Sequence, residues 1–386
     1  MRTQVAIVGA GPAGLMLAHL LGREGIESVV VEQKSQAYIE QRVRAGVLEH
    51  GTVELLTSAG LGDRLLREGL PHHGFELRFE GESHRIDLTG LTGRSITVYG
   101  QQEVVKDLVA ARQAARAPLH FEVTEVGVHG IETDRPVVTG THDGGPIRIE
   151  ADYIAGCDGF HGICRAALPA TERRQFEREY PFGWVGILAE APPSSPELIY
   201  ARHERGFALH SMRSATVTRL YVQCGPNDRV EQWPDQRIWD ELHVRLGAPG
   251  WSLTEGPIFE KSITGMRSFV VEPMQSGRLF LAGDAAHIVP PTGAKGLNLA
   301  LADVAVLARG LVEWYRSGSR KQLDEYSATC LGRVWRAEDF SAQMTGLLHR
   351  YPNDDTGFDG RLQLARLRSI VGSRAGQTAL AEGYVG

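Results

Sequence analysis

Near its amino terminus the chain reads Thr3-Gln-Val-Ala-Ile-Val-Gly-Ala-Gly-Pro-Ala-Gly14. Residues 3–8 have the apolar, β-branched character of a buried strand, and a G-x-G-x-x-G turn follows them directly, ahead of a helical pattern. In this motif Gly9 permits the tight turn, Gly11 lets the backbone approach a pyrophosphate, and Gly14 permits close packing of the helix. The order of strand, turn and helix predicts a Rossmann-like dinucleotide-binding domain.

A second apolar run, Ser28-Val-Val-Val31, predicts the next strand and ends at Glu32. An acid about 20 residues after the glycine motif is placed to hold ribose hydroxyls. A glycine motif alone is weak evidence for dinucleotide binding, but here the predicted strand, the helix and the distal acid all accompany it. Motif and acid together still do not distinguish FAD from NAD.

A distant segment reads Gly283-Asp-Ala-Ala-His-Ile-Val-Pro-Pro-Thr-Gly-Ala-Lys-Gly-Leu-Asn298. The apolar residues 279–282 before it predict a short buried strand, so Asp284 should emerge at the carboxyl end, where an acid can hold a sugar hydroxyl. Residues 293–296 then open an apolar helix, whose free N–H groups would face an electron-rich group. Two nucleotide-contacting segments so far apart favour FAD, held extended across the domain. An ordinary strand-turn-helix corner would not explain the Asp, the prolines and the Asn together.

Composition narrows the class of protein. A chain of 386 residues with 42% hydrophobic content can bury a sizeable core in two or three domains. The formal net charge of −6, without a block of like charge, argues against a nucleic-acid partner. No apolar run reaches the ~18 residues that span a bilayer, and no secretion signal opens the chain, so we expect a cytoplasmic protein without a membrane partner. The four cysteines have no C-x-x-C spacing, which indicates reduced thiols and no metal site.

The pattern along the chain predicts three parts and an α/β fold, α+β overall. Residues 1–175 should form the FAD-binding domain, interrupted near 72–97 by strand-like material. Short strand-like runs separated by turns predict an inserted, mainly antiparallel substrate-binding sheet over residues 176–267. Residues 268–386 should return to the FAD-binding domain and end in a helical region.

Candidate substrate-binding residues lie in the predicted inserted sheet. Ser211-Met-Arg213 follows a predicted strand, and Arg219 and Tyr221 lie two apart on the next strand, hence on one face. An Arg beside a hydroxyl suits bidentate recognition of a carboxylate. A surface ion pair is the alternative for Arg213.

A third segment, Asp152-Tyr-Ile-Ala-Gly-Cys-Asp158-Gly159-Phe-His-Gly-Ile-Cys-Arg165, completes a set of fingerprints. Together the three resemble single-component, FAD-dependent aromatic hydroxylases over essentially the whole chain, and the runs 44–49, 180–184, 197–200 and 268–274 resemble the branch that acts on 4-hydroxybenzoate. The resemblance implies 3-hydroxylation to 3,4-dihydroxybenzoate by a homodimer, using O2 and NADPH or NADH through a flavin C4a-hydroperoxide. A hydroxylase of another hydroxybenzoate and a non-catalytic flavin-binding protein are the alternatives.

The resemblance also assigns roles to residues. The catalytic set, a proton chain from the substrate phenol to solvent, is Tyr200, Tyr384 and His72. The substrate contacts are Tyr200, Ser211, Met212, Arg213, Tyr221 and Pro291. The FAD contacts are Gly9, Gly11, Ala13, Gly14, Glu32, Arg42, Val43, Arg44, Ala45, Gly46, Val47, Gln101, Asp158, Arg219, Asp284, Leu297 and Asn298. The nicotinamide-coenzyme contacts are Gln33, Lys34, Tyr38, Arg44, His161, Arg165 and Arg267.

Two departures from the family pattern bear on specificity. Relatives that use NADPH have an Arg directly after the acid, whereas this chain has Gln33 and Lys34. A 2'-phosphate prefers a bidentate guanidinium, although a lysine offers a point charge, so the preference between NADPH and NADH stays open and leans to NADPH. His210 replaces a small residue before the Ser-x-Arg sequence, which predicts an altered pocket.

Overall fold

The computed structural model describes residues 1–44, 46–352, 354 and 356–386, so Ala45, a predicted FAD contact, lies outside the described residues. In chain order the strands are β1 Arg2–Val8, β2 Ser28–Val31, β3 Val47–Leu48, β4 Leu70–His72, β5 Phe75–Phe79, β6 Glu82–Ile86, β7 Ile96–Val98, β8 Leu119–His120, β9 Thr124–His129, β10 Val137–His142, β11 Gly145–Gly156, β12 Arg174–Ala189, β13 Leu198–His203, β14 Gly206–Met212, β15 Thr218–Cys224, β16 Ile258–Glu272, β17 Gln275–Ser276, β18 Leu279–Leu281 and β19 His287–Ile288.

The α-helices are α1 Pro12–Arg23, α2 Gln36–Gln41, α3 His50–Ser58, α4 Gly62–Glu68, α5 Leu88–Thr92, α6 Gln101–Ala114, α7 Cys164–Ala167, α8 Asp235–Leu246, α9 Gly296–Ser317, α10 Lys321–Asp324, α11 Tyr326–Leu348, α12 Phe358–Val371 and α13 Arg374–Val385. Short 3-10 turns cover Val230–Gln232, Gly283–Ala285 and Pro291–Gly293.

The first sheet is the predicted Rossmann-like layer. Its order is β17-β18-β11-β1-β2-β8, and β1 pairs in parallel with both β2 and β11. The antiparallel strands β10 and β9 extend the sheet from the first half of β11. Parallel strands of this kind are covered on both faces, which is why β1 and β2 are buried runs rather than alternating ones. Helices α1 and α9 pack together against this core.

The second sheet has the order β19-β16-β12-β15-β14-β13-β5-β6. All its pairs are antiparallel except β13 with β5, which register Tyr200 beside Leu77 in parallel. The mainly antiparallel prediction for this sheet is therefore confirmed. The strand-like material predicted near 72–97 contributes β5 and β6 to this second sheet, so the sheet gathers strands from before and after the third fingerprint.

Strands β12 and β16 connect the two layers. Their register pairs Arg174 with Glu272 at one end and Leu188 with Glu260 towards the other. Both predicted domain boundaries, near 175 and 267, fall inside these two strands, because each strand runs continuously from the Rossmann-like layer into the second sheet. The division into three domains stays a prediction.

One face of the second sheet packs on α8, and the other faces the carboxyl-terminal helices. Val185, Ala208, Leu220 and Trp239 belong to the core against α8. The opposite face contributes to a core with residues of α11, α12 and α13. This arrangement places the carboxyl-terminal helices over the face that carries Tyr200 and Tyr221.

No helix in the described part of the chain is long and apolar enough to cross a membrane. The residues at 1–44, 46–352, 354 and 356–386 contain no group of three or more His, Cys, Asp or Glu side chains that could hold a metal ion. All four cysteines are buried free thiols.

Candidate active site

The candidate substrate site lies on one face of the second sheet. The register of neighbouring strands aligns Tyr200, Leu209, Tyr221 and Gly186 in one row. Residues opposite one another in paired strands point to the same face, so this row crosses four strands of the sheet. A Cβ at Gly186 would lie 3.0 Å from Cε1 of Tyr221, so the glycine leaves room for the tyrosine ring.

Two buried tyrosines meet above this face. The hydroxyls of Tyr200 and Tyr384 lie 2.6 Å apart, and either can be the donor. Phe75 stacks on the Tyr384 ring with centroids 4.7 Å apart and meets the Tyr200 ring edge-on at 5.6 Å. Burial raises the pKa of both tyrosines, so each hydroxyl keeps its proton near neutral pH.

His72, the third member of the predicted proton chain, is buried at the end of β4. Its ring is 1% exposed, and neither ring nitrogen has a hydrogen-bond partner among the described residues. Burial lowers the pKa of His72 to about 4, although the Glu197 carboxylate acts in the opposite direction. Two free buried nitrogens are uncommon and call for a ligand or water. Within the described part of the chain, neither tyrosine bonds His72 directly, so a connection requires water.

Arg213 and Ser211 form the predicted carboxylate site at the end of β14. Nη1 of Arg213 donates to the Met212 carbonyl at 2.9 Å and to Ser211 Oγ at 3.5 Å, and Nη2 reaches the Arg44 carbonyl at 3.5 Å. Its Nε is buried without a partner among the residues described. An unpaired buried guanidinium donor is costly, and a substrate carboxylate would satisfy it.

Tyr221 is flanked by two guanidinium groups. Burial alone raises a tyrosine pKa, but the charges of Arg219 and Arg213 outweigh burial and lower the pKa of Tyr221. The Arg219 guanidinium lies 5.0 Å from the Tyr221 ring centroid and pairs with Glu260 at 3.1 Å. Arg219 Nε is buried and lacks a partner in the described ranges. The predicted FAD contact Arg219 therefore keeps one donor free.

Strand alternation sends two predicted residues to the opposite face. His210 and Met212 alternate with Leu209 and Ser211 on β14, so their side chains point towards the α8 core. His210 is fully buried and its Nε2 accepts from the backbone N–H of Ser194 at 3.1 Å. The expectation that His210 reshapes the substrate pocket was wrong for this reason. Met212 offers the site its carbonyl rather than its side chain.

His349 is a residue of this site that the sequence analysis missed. Its Nε2 accepts from Trp184 Nε1 at 2.7 Å, and its ring stacks on Phe182 and Phe207 at 4.6 and 4.5 Å. Trp184 in turn lies 4.9 Å from the Tyr221 ring. His349 directly follows α11, far from the fingerprints in sequence, and no local pattern in the sequence pointed to it.

The glycine motif forms the amino-terminal turn of the dinucleotide site. Gly9 has a φ of +104°, and a Cβ there would lie 2.3 Å from the Cys157 carbonyl. A Cβ at Gly14 would lie 2.0 Å from the Gly9 carbonyl. At Gly11 a Cβ would meet no atom within 4 Å, so that space is open to a ligand. Glu32 directly follows β2, and its carboxylate accepts from Ala10 N at 2.7 Å.

Two acids stand at the carboxyl ends of neighbouring parallel strands. Asp158 follows β11, and its Oδ2 accepts from Cys164 N at 2.9 Å. Asp158 Oδ1 is buried without a hydrogen-bond partner among the described residues, and burial raises the pKa of this acid. Asp284 follows β18 and is exposed, although its immediate neighbours are buried. Both carboxylates are positioned to accept ligand hydroxyls.

The first turn of α9 is joined to the 42–49 segment. Asn298 Oδ1 accepts from Glu49 N at 2.9 Å, and Asn298 Nδ2 donates to the Val47 carbonyl at 3.0 Å. Lys295 forms an ion pair with Glu49 and donates to the Tyr384 carbonyl at 3.0 Å. The first backbone N–H groups of the helix, including that of Leu297, have no carbonyl partner within it. These groups face the segment predicted to cover the flavin.

The remaining predicted FAD contacts surround that segment. A Cβ at Gly46 would lie 2.5 Å from the Tyr99 carbonyl, so this glycine packs against the turn before Gln101, the first residue of α6. The other predicted FAD contacts of the region are Ala13 in the first turn of α1 and Arg42, Val43 and Val47. The Pro291 carbonyl accepts from Ala294 N at 3.0 Å, which leaves it one lone pair for substrate.

Apart from Arg44, the predicted nicotinamide contacts fall into two groups, and the predicted FAD contact Arg42 adjoins the first. Lys34 and Arg42 lie 5.7 and 5.8 Å from the Tyr38 ring centroid, beside the exposed Gln33. Arg165 and Arg267 lie 4.7 and 4.8 Å from the Phe160 ring centroid, next to His161. The first group comes from one short segment, whereas the second brings Arg267 from a distant part of the chain to the same ring as Arg165.

Fold and site together are those of a dinucleotide-dependent oxidoreductase with a buried, tyrosine- and arginine-lined candidate substrate face. The chain belongs to the FAD binding domain family, whose model matches residues 2–341, and it is an FAD-dependent monooxygenase.

Individual relatives agree with this membership. The chain is 52% identical to p-hydroxybenzoate hydroxylase of Acinetobacter baylyi, with 100% of this chain and 96% of the relative covered. It is 27% identical to a 3-(3-hydroxy-phenyl)propionate/3-hydroxycinnamic acid hydroxylase of a Mycobacterium species over 79% of this chain, which spans only 53% of that longer relative. The fold matches p-nitrophenol 4-monooxygenase from Pseudomonas putida with a TM-score of 0.84, 19% identity, and coverage of 100% and 99% of the two chains.

Proposed function

We propose that this protein hydroxylates 4-hydroxybenzoate at the 3-position to give 3,4-dihydroxybenzoate. One O2 supplies one oxygen atom to the ring and one to water, and NADPH or NADH supplies the hydride that, with a proton, balances the reaction. The observation that carries the proposal is the row of Tyr200 beside Leu209, with Ser211 farther along β14 and Arg213 directly after the end of that strand. Diagonal neighbours in paired strands lie roughly 7–8 Å apart, a spacing suited to a ring with a phenol and a carboxylate at opposite ends.

The carboxylate end is assigned to Arg213 and Ser211. Nε of Arg213 needs an acceptor, and the Ser211 hydroxyl lies beside Nη1. A fork-shaped guanidinium and a hydroxyl bind a carboxylate at defined angles, so they fix which ring carbon faces the flavin. Tyr221, whose pKa is lowered by the neighbouring arginines, lines the same end.

The phenol end is assigned to the Tyr200–Tyr384 pair. A free phenol has a pKa near 10, like tyrosine, and its phenolate is the more electron-rich ring for attack beside the oxygen. Because burial raises the pKa of both tyrosines, neither is a good final proton acceptor. They are suited to relaying a proton: Tyr200 accepts from the phenol while donating to Tyr384. His72, neutral with two free nitrogens, is the outlet that we propose towards solvent.

FAD, when bound, supplies the activated oxygen that is transferred to the ring. The residues that would hold it fit the group, because Gly11 leaves open space, Asp158 Oδ1 lacks a partner among the described residues, and Asp284 is exposed after a strand end. The first turns of α1 and α9 would direct N–H groups at the pyrophosphate and the flavin ring respectively. We assign the remaining predicted FAD contacts to the same cofactor.

The electron donor is assigned to the two basic groups around Tyr38 and Phe160. Lys34 offers a positive charge to a 2'-phosphate, whereas Gln33 lacks the two parallel N–H donors of an arginine guanidinium. We therefore propose NADPH, with NADH as the close alternative. We also propose a homodimer, to be tested by sedimentation, and a cytoplasmic location, which the four buried free thiols support.

Product analysis tests the function directly. The FAD-loaded protein is incubated with 4-hydroxybenzoate and each nicotinamide coenzyme, and the aromatic products are separated and identified. We expect 3,4-dihydroxybenzoate in an amount matching the coenzyme consumed. No hydroxylated product with 4-hydroxybenzoate, but product with 3-hydroxybenzoate or 2-hydroxybenzoate, would replace the substrate. A colourless protein with no coenzyme consumption would indicate a non-catalytic role.

A further inference from the structure

A cleft of about 540 Å³ lies between α3, α9, α11 and the carboxyl-terminal residues, away from the sheet face that carries Tyr200 and Arg213. Ala302, Ala305 and Arg309 line it from α9, at the three- and four-residue spacing of one helix face. The opposite face of α9 packs on α1. The predicted cofactor and substrate groups therefore leave most of this cleft unassigned.

The cleft carries an excess of positive charge. Its basic side chains are Lys295, Arg309, Arg333 and Arg336, and its acidic side chains are Glu49 and Glu382. Lys295 and Glu49 neutralise each other in an ion pair. Three guanidinium groups then face one remaining carboxylate side chain, and none of the three forms a salt bridge with a described acid.

One of these arginines also has an unmet hydrogen-bonding need. Nη1 of Arg333 is buried and has no hydrogen-bond partner within the described ranges. An unsatisfied donor on a charged group is unfavourable, so the Arg333 guanidinium has hydrogen-bonding capacity that an oxyanion in the cleft would use. The inner walls are apolar, with Leu55, Leu299 and Ala337 beside the helix faces. A site of a few hundred Å³ with apolar walls and few convergent polar groups is typical of a small-molecule site.

We propose that this cleft binds a small organic anion, with a flat apolar body against the alanines of α9 and an oxyanion held by Arg333 and Arg336. The oxyanion is a carboxylate or a phosphate, because both accept two parallel N–H bonds from a guanidinium. Arg309 adds charge from the facing helix. The residues that line the cleft do not include Tyr200, Ser211, Arg213 or Tyr221, although Phe340 of the cleft packs on the Tyr384 ring with centroids 6.1 Å apart.

The test is calorimetric titration of the FAD-loaded chain with benzene-1,3-dicarboxylate and, separately, with inorganic phosphate, while 4-hydroxybenzoate is saturating. We expect one equivalent of the dicarboxylate per chain. The double variant Arg333→Gln with Arg336→Gln should weaken its binding at least tenfold. The matched control Arg361→Gln, an exposed arginine on α12, should leave it unchanged.

A second variant tests the apolar half of the site. Ala305→Leu fills the wall of α9 and should abolish dicarboxylate binding, whereas any phosphate binding should persist. Retained flavin absorbance and melting temperature verify the fold of each variant. No dicarboxylate binding, dicarboxylate binding insensitive to the arginine pair, or unchanged dicarboxylate binding in Ala305→Leu would overturn the proposal. Loss of self-association in the arginine variants without any ligand binding would do so too, since a second copy of the chain would then cover the cleft.

Discussion

Trp184 and His349 are joined by a buried hydrogen bond, in which the indole N–H donates to His349 Nε2 at 2.7 Å, although 165 residues separate them. The other ring nitrogen, Nδ1, donates to the Thr345 carbonyl at 3.0 Å. The imidazole is therefore satisfied only in one neutral tautomer. Burial lowers the pKa of His349 to about 3, and it lowers those of His72 and His210 to about 4.

These three histidines predict acid destabilisation. In the unfolded chain a histidine has a pKa near 6.5. Well above that pH the side chain is neutral in both the folded and the unfolded state, so it does not change the free energy of unfolding. As the pH falls below 6.5 the unfolded state binds a proton that the folded state refuses, and stability falls until the folded pKa is reached. Between pH 6.5 and 5 each group should cost about 2 kcal/mol. We expect the free energy of unfolding in urea to drop over this window, and the drop to shrink in His349→Gln. An unchanged drop in the variant would remove His349 as a contributor.

The Tyr200–Tyr384 pair predicts a separation of binding from chemistry. Tyr200→Phe should bind 4-hydroxybenzoate and be reduced by coenzyme nearly normally, because the carboxylate contacts at Arg213 remain. Without the relay the ring stays protonated and unreactive, so much of the oxygen should leave as hydrogen peroxide. The ratio of product formed to coenzyme consumed measures this. Tight coupling in the variant would contradict the phenolate role of Tyr200.

Arg213→Ala should raise the apparent KM for 4-hydroxybenzoate severely without changing flavin content. Losing a charge-assisted partner of a carboxylate should cost about 2–5 kcal/mol. Arg213→Lys is the matched comparison, because it keeps the positive charge but loses the two parallel N–H donors of the guanidinium. Its KM should lie between those of the wild type and Arg213→Ala. Steady-state kinetics and flavin absorbance give both readouts. Near-normal affinity in Arg213→Ala would exclude this residue from the site.

The first helix provides a matched pair of glycine variants. Gly14→Ala should reduce FAD binding and stability, because its Cβ would lie 2.0 Å from the Gly9 carbonyl. Gly22→Ala, in the same helix, meets no atom within 4 Å and should raise stability by roughly 0.5–1 kcal/mol. Fluorescence titration with FAD and thermal melting compare the two. Equal FAD affinities and melting temperatures in the two variants would show that close packing at Gly14 is not required for FAD binding.

Local patterns in the sequence predicted the elements of the cofactor layer well. The strand at residues 3–8 is β1, the helix after the glycines is α1, and the run before Asp284 is β18. These elements have short-range signals: β-branched runs, turn glycines and helical periodicity. The same signals placed Tyr221 and Arg219 on one face, since a strand alternates with a period of two.

Contacts between distant segments could not be predicted in this way. The pairing of β5 with β13 brings Phe75 beside Leu198, and no local pattern encodes which strands become neighbours. The same holds for the ion pair of Lys295 with Glu49. The direction of His210 could have been predicted, because it alternates with Ser211 on one strand. The sequence analysis placed Ser211 and Met212 after the strand, whereas β14 runs to Met212, and this hid the alternation.

Coenzyme choice is where the sequence left two alternatives open. Gln33 and Lys34 are exposed after β2, and the Lys34 ammonium lies 5.7 Å from the Tyr38 ring centroid. Gln33 cannot provide the guanidinium that binds a 2'-phosphate through two N–H donors. Gln33→Arg should therefore raise the ratio of kcat/KM for NADPH to kcat/KM for NADH, because only NADPH gains binding energy. Lys34→Ala should shift the ratio the other way.

Both substitutions are measured as coenzyme oxidation with 4-hydroxybenzoate saturating, since the substrate face around Arg213 belongs to the other sheet and should be unaffected. Tenfold in this ratio corresponds to about 1.4 kcal/mol, a reasonable gain for one charged contact. If neither variant changes the ratio by more than about twofold, Gln33 and Lys34 do not bind the 2'-phosphate of NADPH. Arg44, His161, Arg165 and Arg267 would then be the residues to test for binding the 2'-phosphate, and Arg267→Ala is the first variant to make, because Arg165 and Arg267 both flank the Phe160 ring.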